Sequence, residues 1–555
     1  MKKLLAALLC SWWGFGFAQS ADELLASGKN TDNVINFGMG YDLKMYSPLK
    51  EINKSNVKRL VPIWSTSLAN DMGEHSQPTV YNGVMYVVNG SWTFALDVET
   101  GRQIWRTPVQ YERAALRVGT AGAIMRGPAT IYSGKLFRQT VDAHVLALDM
   151  KTGKEIWKEK FADFKEGYIG VIAPIIVNGV LVSGMAGGDR TTRGFIDGRD
   201  PETGKMLWRT YTIPAPGEKG SETWPNNELA DAWKYGGAAT WQYGAYDPQL
   251  DLLYLGTGNA EPYNPAYRKG MDSLYCASIL AIRPKTGEMV WHYQTVPNDS
   301  FDFDATAESV LADIRVDGQM RKVLINAHKN GFLYVLDRTN GQPIAAHPFV
   351  KVNWASRIDL KTGRPVLTDL LDRAIKGETV PVWPARGTNA TLIAFNPNTG
   401  LVYLNSWNQA RVMKYVEVKF VLGTGSTGIE TTSYDTPKGE PAGYHLAMEP
   451  LTGRVVWQVP MMDLPSSAGM LATDGGVLFT GKLTGEVVAL DQENGKALWQ
   501  FKTGSSIVAP PITYTHKGRQ YVSVLSGIGG SVPTRTAGKL VSPGGAAWTF
   551  ALMQD

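Results

Sequence analysis

The chain has 555 residues, and 55 Lys and Arg against 51 Asp and Glu give a formal net charge of only +4. This near balance, with the two signs mixed along the chain, argues against a nucleic-acid-binding protein. With 59 Gly, 30 Pro, 17 Trp and 44% hydrophobic residues, the composition indicates a large β protein with many tight turns and excludes a disordered or purely helical chain.

The N-terminus has the pattern of a cleavable signal peptide over residues 1–18. Lys2 and Lys3 precede an apolar stretch that ends in Gly16-Phe17-Ala18. No later segment has about 18 uninterrupted apolar residues, so we predict an exported, periplasmic protein with no membrane span. After the leader, Cys276 is the only cysteine, which excludes an intramolecular disulfide.

One short pattern recurs along the chain and predicts the fold. Its clearest copies are ALDVETGRQIW at 95–105, ALDMKTGKEIW at 147–157, GRDPETGKMLW at 198–208, AIRPKTGEMVW at 281–291, AMEPLTGRVVW at 447–457 and ALDQENGKALW at 489–499. Each copy predicts a hairpin: a strand, a turn with Gly at a positive φ, and a return strand that ends in Trp. Together with upstream apolar strands, such as TVYNGVMYVV at 79–88, each hairpin completes a four-stranded sheet.

Repetition of such sheets around an axis predicts an all-β propeller, and the spacing of the copies predicts seven or eight blades. The repeat tryptophans are predicted to pack between neighbouring blades. Residues 46–49 and 57–64 are predicted to supply a strand that closes the ring against the C-terminal sheet. Residues 411–445 lack the repeat and predict a loop insertion over one face, where propellers carry functional residues.

The repeat Ala-x-Asp-x-x-Thr-Gly-x-x-x-Trp, together with YSPLKEINKSNVKRLVPIW at 46–64, resembles the alcohol dehydrogenases that depend on pyrroloquinoline quinone (PQQ). Further motifs stand in that family's order: MRG at 125–127, GGDRTTRG at 187–194, YDPQLDLLYLGTGN at 246–259, PNDSFDFD at 297–304, HKNGFLYVLDRTNG at 328–341 and THKGRQYV at 515–522. The resemblance covers essentially all of residues 19–555. It implies a single eight-bladed propeller domain that binds PQQ and a metal ion and oxidises an alcohol.

Asp302 and Asp304 form the most informative motif. In a strand, residues two apart project to the same face, so both carboxylates would point at one ligand. In a loop, the two side chains would instead cap turns or face water. The resemblance implies that Asp302 is the general base that takes the hydroxyl proton of the alcohol.

The resemblance also implies a metal site formed by Asp302 and Asp304 together with Asp189 and Asn259. Asp189 stands where the family usually has Glu, and the amide oxygen of Asn259 suits a hard cation. In the family, lanthanide-dependent members carry a second Asp two positions after the catalytic one, and calcium-dependent members usually carry a small uncharged residue there. Asp304 therefore favours a lanthanide, because a trivalent ion gains more from an added carboxylate. Calcium is the alternative.

For the cofactor, the resemblance implies a stacking indole, a set of polar donors and two glycines: Trp241, Arg126, Lys329, Asn389, Gly187 and Gly188. Trp241 would stack on the planar cofactor. Arg126 would pair with a quinone oxygen or carboxylate, because guanidinium presents a planar fork of donors.

The sequence departs from the family around the cofactor. The family's adjacent cysteine pair falls at Thr120 and Ala121, and its Thr and Ser that contact cofactor carboxylates fall at Val171 and Ala186. The carboxylate-binding residues must therefore be different here.

Other departures concern the first blade and the substrate pocket. His75 replaces a family Glu, with Glu74 adjacent as the second candidate for the base. Ala390 and Ser467 stand where the family commonly has Trp, which predicts a roomier pocket and an alcohol larger than methanol.

Motifs that the chain lacks indicate how it exchanges electrons. No Cys-x-x-Cys-His occurs, so no c-type haem is attached, and the resemblance implies an external cytochrome c as acceptor. No Gly-x-Gly-x-x-Gly opens a strand and helix, which argues against NAD. A homodimer is an open alternative for the assembly. A non-catalytic PQQ-like propeller scaffold of the cell envelope is the alternative function, but such a scaffold needs no acidic cluster.

Overall fold

The computed structural model describes residues 19–70, 72–118, 124–225, 232–389, 391–418, 421–425, 427–434 and 436–554. The predicted signal peptide lies outside them. Helical structure in this part of the chain is short: α1 Ala21–Ala26, α2 Leu370–Ile375, α3 Ser531–Ala537, and 3₁₀ turns at Phe37–Met39, Val57–Arg59, Arg113–Arg117, Phe164–Glu166, Gly188–Arg190, Ser221–Thr223, Ala232–Lys234 and Pro265–Arg268. The all-β class is confirmed. No helix in the described ranges is both long and apolar enough to cross a membrane.

Strands occupy most of the chain. In chain order the first half contains β1 Tyr46–Ser47, β2 Leu60–Ser67, β3 His75–Gln77, β4 Thr79–Tyr81, β5 Val84–Val88, β6 Trp92–Asp97, β7 Gln103–Pro108, β8 Arg126–Pro128, β9 Thr130–Tyr132, β10 Lys135–Thr140, β11 His144–Asp149, β12 Glu155–Lys160, β13 Ile175–Val177, β14 Val180–Ser183, β15 Phe195–Arg199, β16 Met206–Tyr211, β17 Ala245–Asp247, β18 Leu252–Gly256, β19 Ser278–Ile282 and β20 Met289–Gln294.

The second half continues the same pattern. It contains β21 Val310–Val316, β22 Gln319–Ala327, β23 Phe332–Asp337, β24 Pro343–Pro348, β25 Ala355–Asp359, β26 Arg364–Leu367, β27 Val380–Val382, β28 Ala394–Asn396, β29 Leu401–Trp407, β30 Ala410–Tyr415, β31 Ile429–Tyr434, β32 Gly443–Met448, β33 Val455–Met461, β34 Leu471–Thr473, β35 Val477–Gly481, β36 Glu486–Asp491, β37 Ala497–Lys502, β38 Ile512–His516, β39 Arg519–Ser526 and β40 Ala546–Leu552.

The strands form antiparallel sheets of successive strands. Eight sheets in the described residues have four or more strands: β4–β7, β9–β12, β13–β16, β17–β20, β21–β24, β28-β29-β32-β33, β34–β37 with β1 added at its edge, and β38–β40 with β2. Hydrophobic side chains between neighbouring sheets are buried, and the largest buried cluster includes residues from β10 through β36.

The repeat turns explain why each hairpin forms. After β11, the Asp149 carboxylate accepts hydrogen bonds from the backbone N–H groups of Lys151, at 3.1 Å, and Thr152, at 2.8 Å. Gly153 then adopts φ +69°, where a residue with Cβ is strained. The Asp, Thr and Gly of the repeat therefore specify this turn locally.

Each sheet is connected to the next by a side chain of its last strand. The ring N–H group donates to a backbone carbonyl in the following sheet, in the pairs Trp64–Val98, Trp105–Met150, Trp157–Pro201, Trp208–Pro284, Trp291–Arg338, His347–Leu451, Trp457–Gln492 and Trp499–Leu60. His347 takes the place of Trp in one of these contacts, where the sequence repeat is degraded.

The two ends of the chain meet in one sheet. β2 pairs antiparallel with β40, with Leu60 opposite Leu552 and Ser67 opposite Ala546. The predicted pairing of residues 57–64 with the C-terminal sheet is confirmed from Leu60 onwards. Tyr46 and Ser47 instead pair with β34, so the prediction for residues 46–49 is wrong. The segment predicted as a loop insertion is a hairpin of β30 and β31, in which β30 also pairs with β27, and β32 begins inside the predicted range at Gly443.

Candidate active site

One large cavity, of about 1160 Å³, lies where the connections of many sheets converge. Most of its lining residues lie either just before the first strand of a sheet or in the connection between the second and third strands. In an antiparallel sheet these two kinds of segment lie at the same end. All ten predicted site residues line it: Arg126, Gly187, Gly188, Asp189, Trp241, Asn259, Asp302, Asp304, Lys329 and Asn389. The topology thus brings these separate motifs together.

Asp302 and Asp304 lie in a loop before β21, so the strand geometry expected for this motif is wrong. Asp302 has φ +60°, a left-handed conformation that turns the chain sharply. The two carboxylates nevertheless converge, because both contact the Lys329 ammonium, at 2.6 Å from Asp302 and 2.7 Å from Asp304. The other oxygen of Asp304 accepts from the Asn259 backbone N–H at 3.0 Å.

Arg411, on β30 of the insertion, is the second cation on Asp302. Its Nη1 donates to Asp302 Oδ2 at 2.8 Å, and its Nη2 donates to the Phe301 carbonyl. Burial alone would raise the pKa of Asp302, but Lys329 and Arg411 outweigh burial and hold that pKa below its ordinary value. Asp302 is therefore an ionised carboxylate, the form that a proton acceptor requires.

The neighbouring carboxylates are less well compensated. Asp189 accepts a hydrogen bond from the Tyr263 hydroxyl at 2.9 Å. Burial, followed by repulsion from Asp302 and Asp304, raises the pKa of Asp189 to about 6. Glu261 Oε1 is buried without a hydrogen-bond partner, and burial raises the pKa of this residue well above its ordinary value. Carboxyl groups that burial disfavours as anions are thus concentrated around Asp302 and Asp304.

This donor set is made of oxygen atoms and suits a hard cation. Within the described ranges, no three His, Cys, Asp or Glu side chains lie close enough together to hold a metal by themselves. Asn259 and a ligand of the cofactor would have to complete the coordination. The excess of buried carboxylate charge fits a cation at this position.

A second group of lining residues, around Arg126 and Trp241, suits a flat molecule with several negative charges. The Arg126 guanidinium lies over the Trp241 ring, 5.2 Å from its centroid. His75 Nε2 donates to the Gly529 carbonyl at 2.8 Å, and its buried Nδ1 has no partner. An indole face for stacking, beside guanidinium donors, matches the chemistry of PQQ, which is flat and carries carboxylates.

Several departures from the family can now be located. Val171, Ala186 and Ser467 line the cavity, as expected for a changed carboxylate site and a roomier pocket. Ala390 and the Thr120-Ala121 pair lie outside the described residues. Glu74 is not among the cavity-lining residues.

Glu74 is therefore wrong as a second candidate for the base. Its Oε1 accepts from Asn70 at 3.0 Å and from Asn89 at 3.1 Å, and the side chain is fully buried beside Gly545. Burial raises the pKa of Glu74 to about 8. It is a buried structural carboxyl group.

Sequence reasoning missed four groups that the structure brings to the cavity or its carboxylates. They are Arg411, Tyr263, the Arg386–Trp407 pair and the segment around α3, from which Ser531 to Arg535 line the cavity. The absence of the repeat from 411 onwards marked the insertion, but no local pattern indicated that Arg411 would reach Asp302.

Comparison with known proteins agrees with this fold and cavity. The family model described as "Glucose/ethanol/alcohol dehydrogenase, beta-propeller domain" matches residues 36–355. A second model, described as outer membrane protein assembly factor BamB, matches residues 444–524. The fold and the cavity thus define the class: a β-propeller quinoprotein dehydrogenase.

Individual relatives specify the family. Quinohemoprotein alcohol dehydrogenase ADH IIB of Pseudomonas putida is 39% identical, over 91% of this chain and 74% of its own length. Quinoprotein alcohol dehydrogenase PedH of Pseudomonas putida is 36% identical, over 96% of this chain and 93% of its own length. A solved europium-containing methanol dehydrogenase superposes with a TM-score of 0.89 at 32% identity, covering 96% of this chain and 100% of its own. The chain belongs to the PQQ-dependent alcohol dehydrogenases.

Proposed function

We propose that this enzyme is a periplasmic dehydrogenase that oxidises an alcohol larger than methanol at a lanthanide-dependent PQQ site and passes the electrons to an external cytochrome c. The observation that carries the proposal is the convergence of Asp302 and Asp304 on Lys329 in a cavity that all ten candidate residues line. PQQ, when bound, supplies the acceptor for the two electrons of the alcohol.

In this proposal Asp302 accepts the hydroxyl proton of the substrate. Lys329 and Arg411 contact its two oxygens and keep the carboxylate ionised and oriented. Arg126, Trp241 and Asn389, with Gly187 and Gly188, hold the cofactor. The Trp241 ring would offer a face on which the flat cofactor could stack, and this would restrict the orientation of the cofactor relative to Asp302.

For the metal, we propose ligands Asp189, Asn259, Asp302 and Asp304. Binding of the ion would have to draw the three carboxylates closer together than they lie among the described residues. Three carboxylates, together with a cofactor carboxylate, would bring more negative charge than a divalent ion neutralises. A trivalent ion is attracted more strongly by each added carboxylate. The europium that the solved relative contains gives independent support for a lanthanide.

The substrate size rests on the cavity itself. Ser467 lines it where the family commonly has Trp, and the space is about 1160 Å³. Drug-sized ligands fill pockets of about 300–1,000 Å³, so PQQ leaves space for a substrate with several carbons.

We further propose that residues 19–555 form one ring of eight blades held by tryptophan docking. The eight sheets support this architecture, as do the eight ring-to-carbonyl contacts that lead from each sheet to the next and return to the first. The predicted leader and the family resemblance support export to the periplasm and a soluble cytochrome acceptor. The homodimer stays a prediction.

The decisive experiment uses metal-free protein reconstituted with PQQ. Dye-linked oxidation of methanol, ethanol and longer primary, secondary and cyclic alcohols would be measured with lanthanum and, separately, with calcium. We expect lanthanum to activate more strongly, and the highest kcat/KM for an alcohol larger than methanol. In Asp304→Ala the preference should move towards calcium, because one carboxylate is lost.

Two results would contradict this proposal. Equal or better activation of the unaltered enzyme by calcium would exclude the lanthanide site. The highest kcat/KM for methanol would exclude the enlarged pocket.

A further inference from the structure

Arg386 is a cation in the cavity that forms no ion pair with any residue in the described part of the chain. It lies between β27 and β28 and lines the cavity, with its guanidinium 5.7 Å from the centroid of the Trp407 ring. Its Nε is buried without a hydrogen-bond partner, and Arg386 makes no hydrogen bond or ion pair with any residue that the structure describes. A buried guanidinium without an anion is costly.

The nearby carboxylates are already engaged by other cations. Asp302 pairs with Lys329 and Arg411, and Asp304 pairs with Lys329. Burial, followed by repulsion from Arg411, lowers the pKa of Arg386 to about 10, so its guanidinium keeps its charge at neutral pH. This end of the cavity therefore holds a cation that lacks a protein counter-ion.

The neighbours of Arg386 differ from those of Arg126, the arginine predicted to bind the cofactor. Arg126 stacks on Trp241 and interacts electrostatically with His75 and Glu308. Arg386 instead interacts electrostatically with Asp302 and lies over Trp407, next to the proposed proton acceptor. Its position is that of a group that meets the substrate.

We infer that Arg386 binds a carboxylate of the substrate, so that the preferred alcohol is a hydroxy acid. This inference rests on the proposed oxidation of an alcohol at Asp302. The guanidinium offers a planar pair of donors that matches a carboxylate, and Trp407 restricts its tilt. The hydroxyl group of the substrate gives its proton to Asp302, and the carbon that bears it gives a hydride, with two electrons, to the cofactor; the alcohol becomes a carbonyl group, while the carboxylate stays unchanged.

The experiment compares matched substrates that differ only in the terminal group. We would measure kcat/KM for 1-butanol against 4-hydroxybutanoate, and for 1-hexanol against 6-hydroxyhexanoate. The unaltered enzyme should prefer the hydroxy acid of each pair. Arg386→Gln should lower the ratio of acid to neutral alcohol by about 10- to 100-fold, the range of a lost hydrogen-bonded charge, and Arg386→Lys should give a smaller loss.

Binding is tested without turnover. Butanoate, which has no hydroxyl group to oxidise, should raise the melting temperature of the holoenzyme, and Arg386→Gln should abolish the shift. Arg315→Gln is the matched control, since it removes the same charge from the end of β21, outside the cavity, where Arg315 donates to the Gly318 carbonyl at 2.8 Å. Arg315→Gln should leave both the substrate ratio and the butanoate shift unchanged.

Three outcomes would overturn the inference. The first is an unaltered enzyme that does not prefer the hydroxy acid. The second is an Arg386→Gln variant that loses activity equally on both members of a pair and also loses PQQ affinity, as measured by fluorescence titration. Arg386 would then bind the cofactor and not the substrate. The third is absence of oxidation for every alcohol and every hydroxy acid, with PQQ bound; this alone contradicts the proposed function as well.

Discussion

At the scale of single residues, Asp302 shows how a buried carboxylate stays charged. Burial opposes ionisation, and a lone carboxylate in such a place would be protonated. Here Lys329 lies 2.6 Å from one oxygen and Arg411 lies 2.8 Å from the other. Each oxygen of the acceptor is thus oriented by one cation, the two cations belong to different sheets, and each oxygen keeps a further lone pair.

We predict that Asp302→Asn lowers kcat by at least about 10²-fold, because an amide cannot accept the hydroxyl proton. Asn keeps nearly the same volume, so the fold and PQQ affinity should change little. Steady-state kinetics and fluorescence titration of PQQ check both parts.

The control for this prediction is Asp313→Asn, which removes a carboxylate paired with Arg338 at 2.7 Å and does not line the cavity. It should retain full kcat. Undiminished turnover in Asp302→Asn would require another proton acceptor.

At the scale of elements, the repeat glycines serve two purposes at once. Gly287 has φ +74°, and an added Cβ would lie 2.4 Å from Trp208 of the preceding sheet. The turn requires glycine because its backbone has a positive φ, and the tryptophan requires glycine because its ring lies where a Cβ would stand. A repeat position is therefore constrained both within its own sheet and by the neighbouring sheet.

Gly287→Ala and Gly270→Ala separate these two effects. Gly270 has a similar φ of +70°, but nothing lies within 4 Å of its added Cβ. Gly270→Ala should cost about 1–3 kcal/mol of stability from backbone strain alone, and Gly287→Ala should cost about 1–3 kcal/mol more from overpacking.

Thermal and urea unfolding of both variants measure the difference. Equal destabilisation of the two would contradict close packing of the tryptophan on the glycine turn. Circular dichroism of each variant at low temperature confirms that both start from the same fold.

At the scale of the whole molecule, the sheet that contains both chain ends joins the beginning of the fold to its end. β40 lies between β2 and β39 and pairs with both. Trp499 of the preceding sheet also donates to the Leu60 carbonyl of β2, at 3.2 Å. The last strand is therefore central in its sheet, although it is terminal in the sequence.

We predict that a chain ending at residue 545, without β40, does not form a stable propeller. β2 would lose its partner, and two rows of backbone hydrogen bonds would be exposed. Size-exclusion chromatography and thermal unfolding would show aggregation or a greatly lowered melting temperature.

A chain that ends at Met553 is the control, because it retains all of β40. It should unfold at the temperature of the full chain. A stable, monomeric protein ending at residue 545 would contradict the predicted dependence on the closing strand.

The sequence by itself determined what depends on neighbouring residues. The Asp, Thr and Gly of each repeat close a turn through hydrogen bonds within a few residues, so the hairpins and the all-β class could be predicted. The family motifs also led to all ten candidate residues, and each of them lines the cavity. Local turn chemistry and motif order are properties of the chain before it folds.

Only the tertiary structure decided what those residues contact. Asp302 and Asp304 converge from a loop rather than a strand, and Arg411 reaches Asp302 from 109 positions further along the chain. Arg386 likewise lines the cavity without an ion pair among the residues that the structure describes, and its sequence neighbours gave no sign of this. The spacing of such pairs in the sequence carries no information about distance, because closure of the sheets around the cavity brings their side chains together.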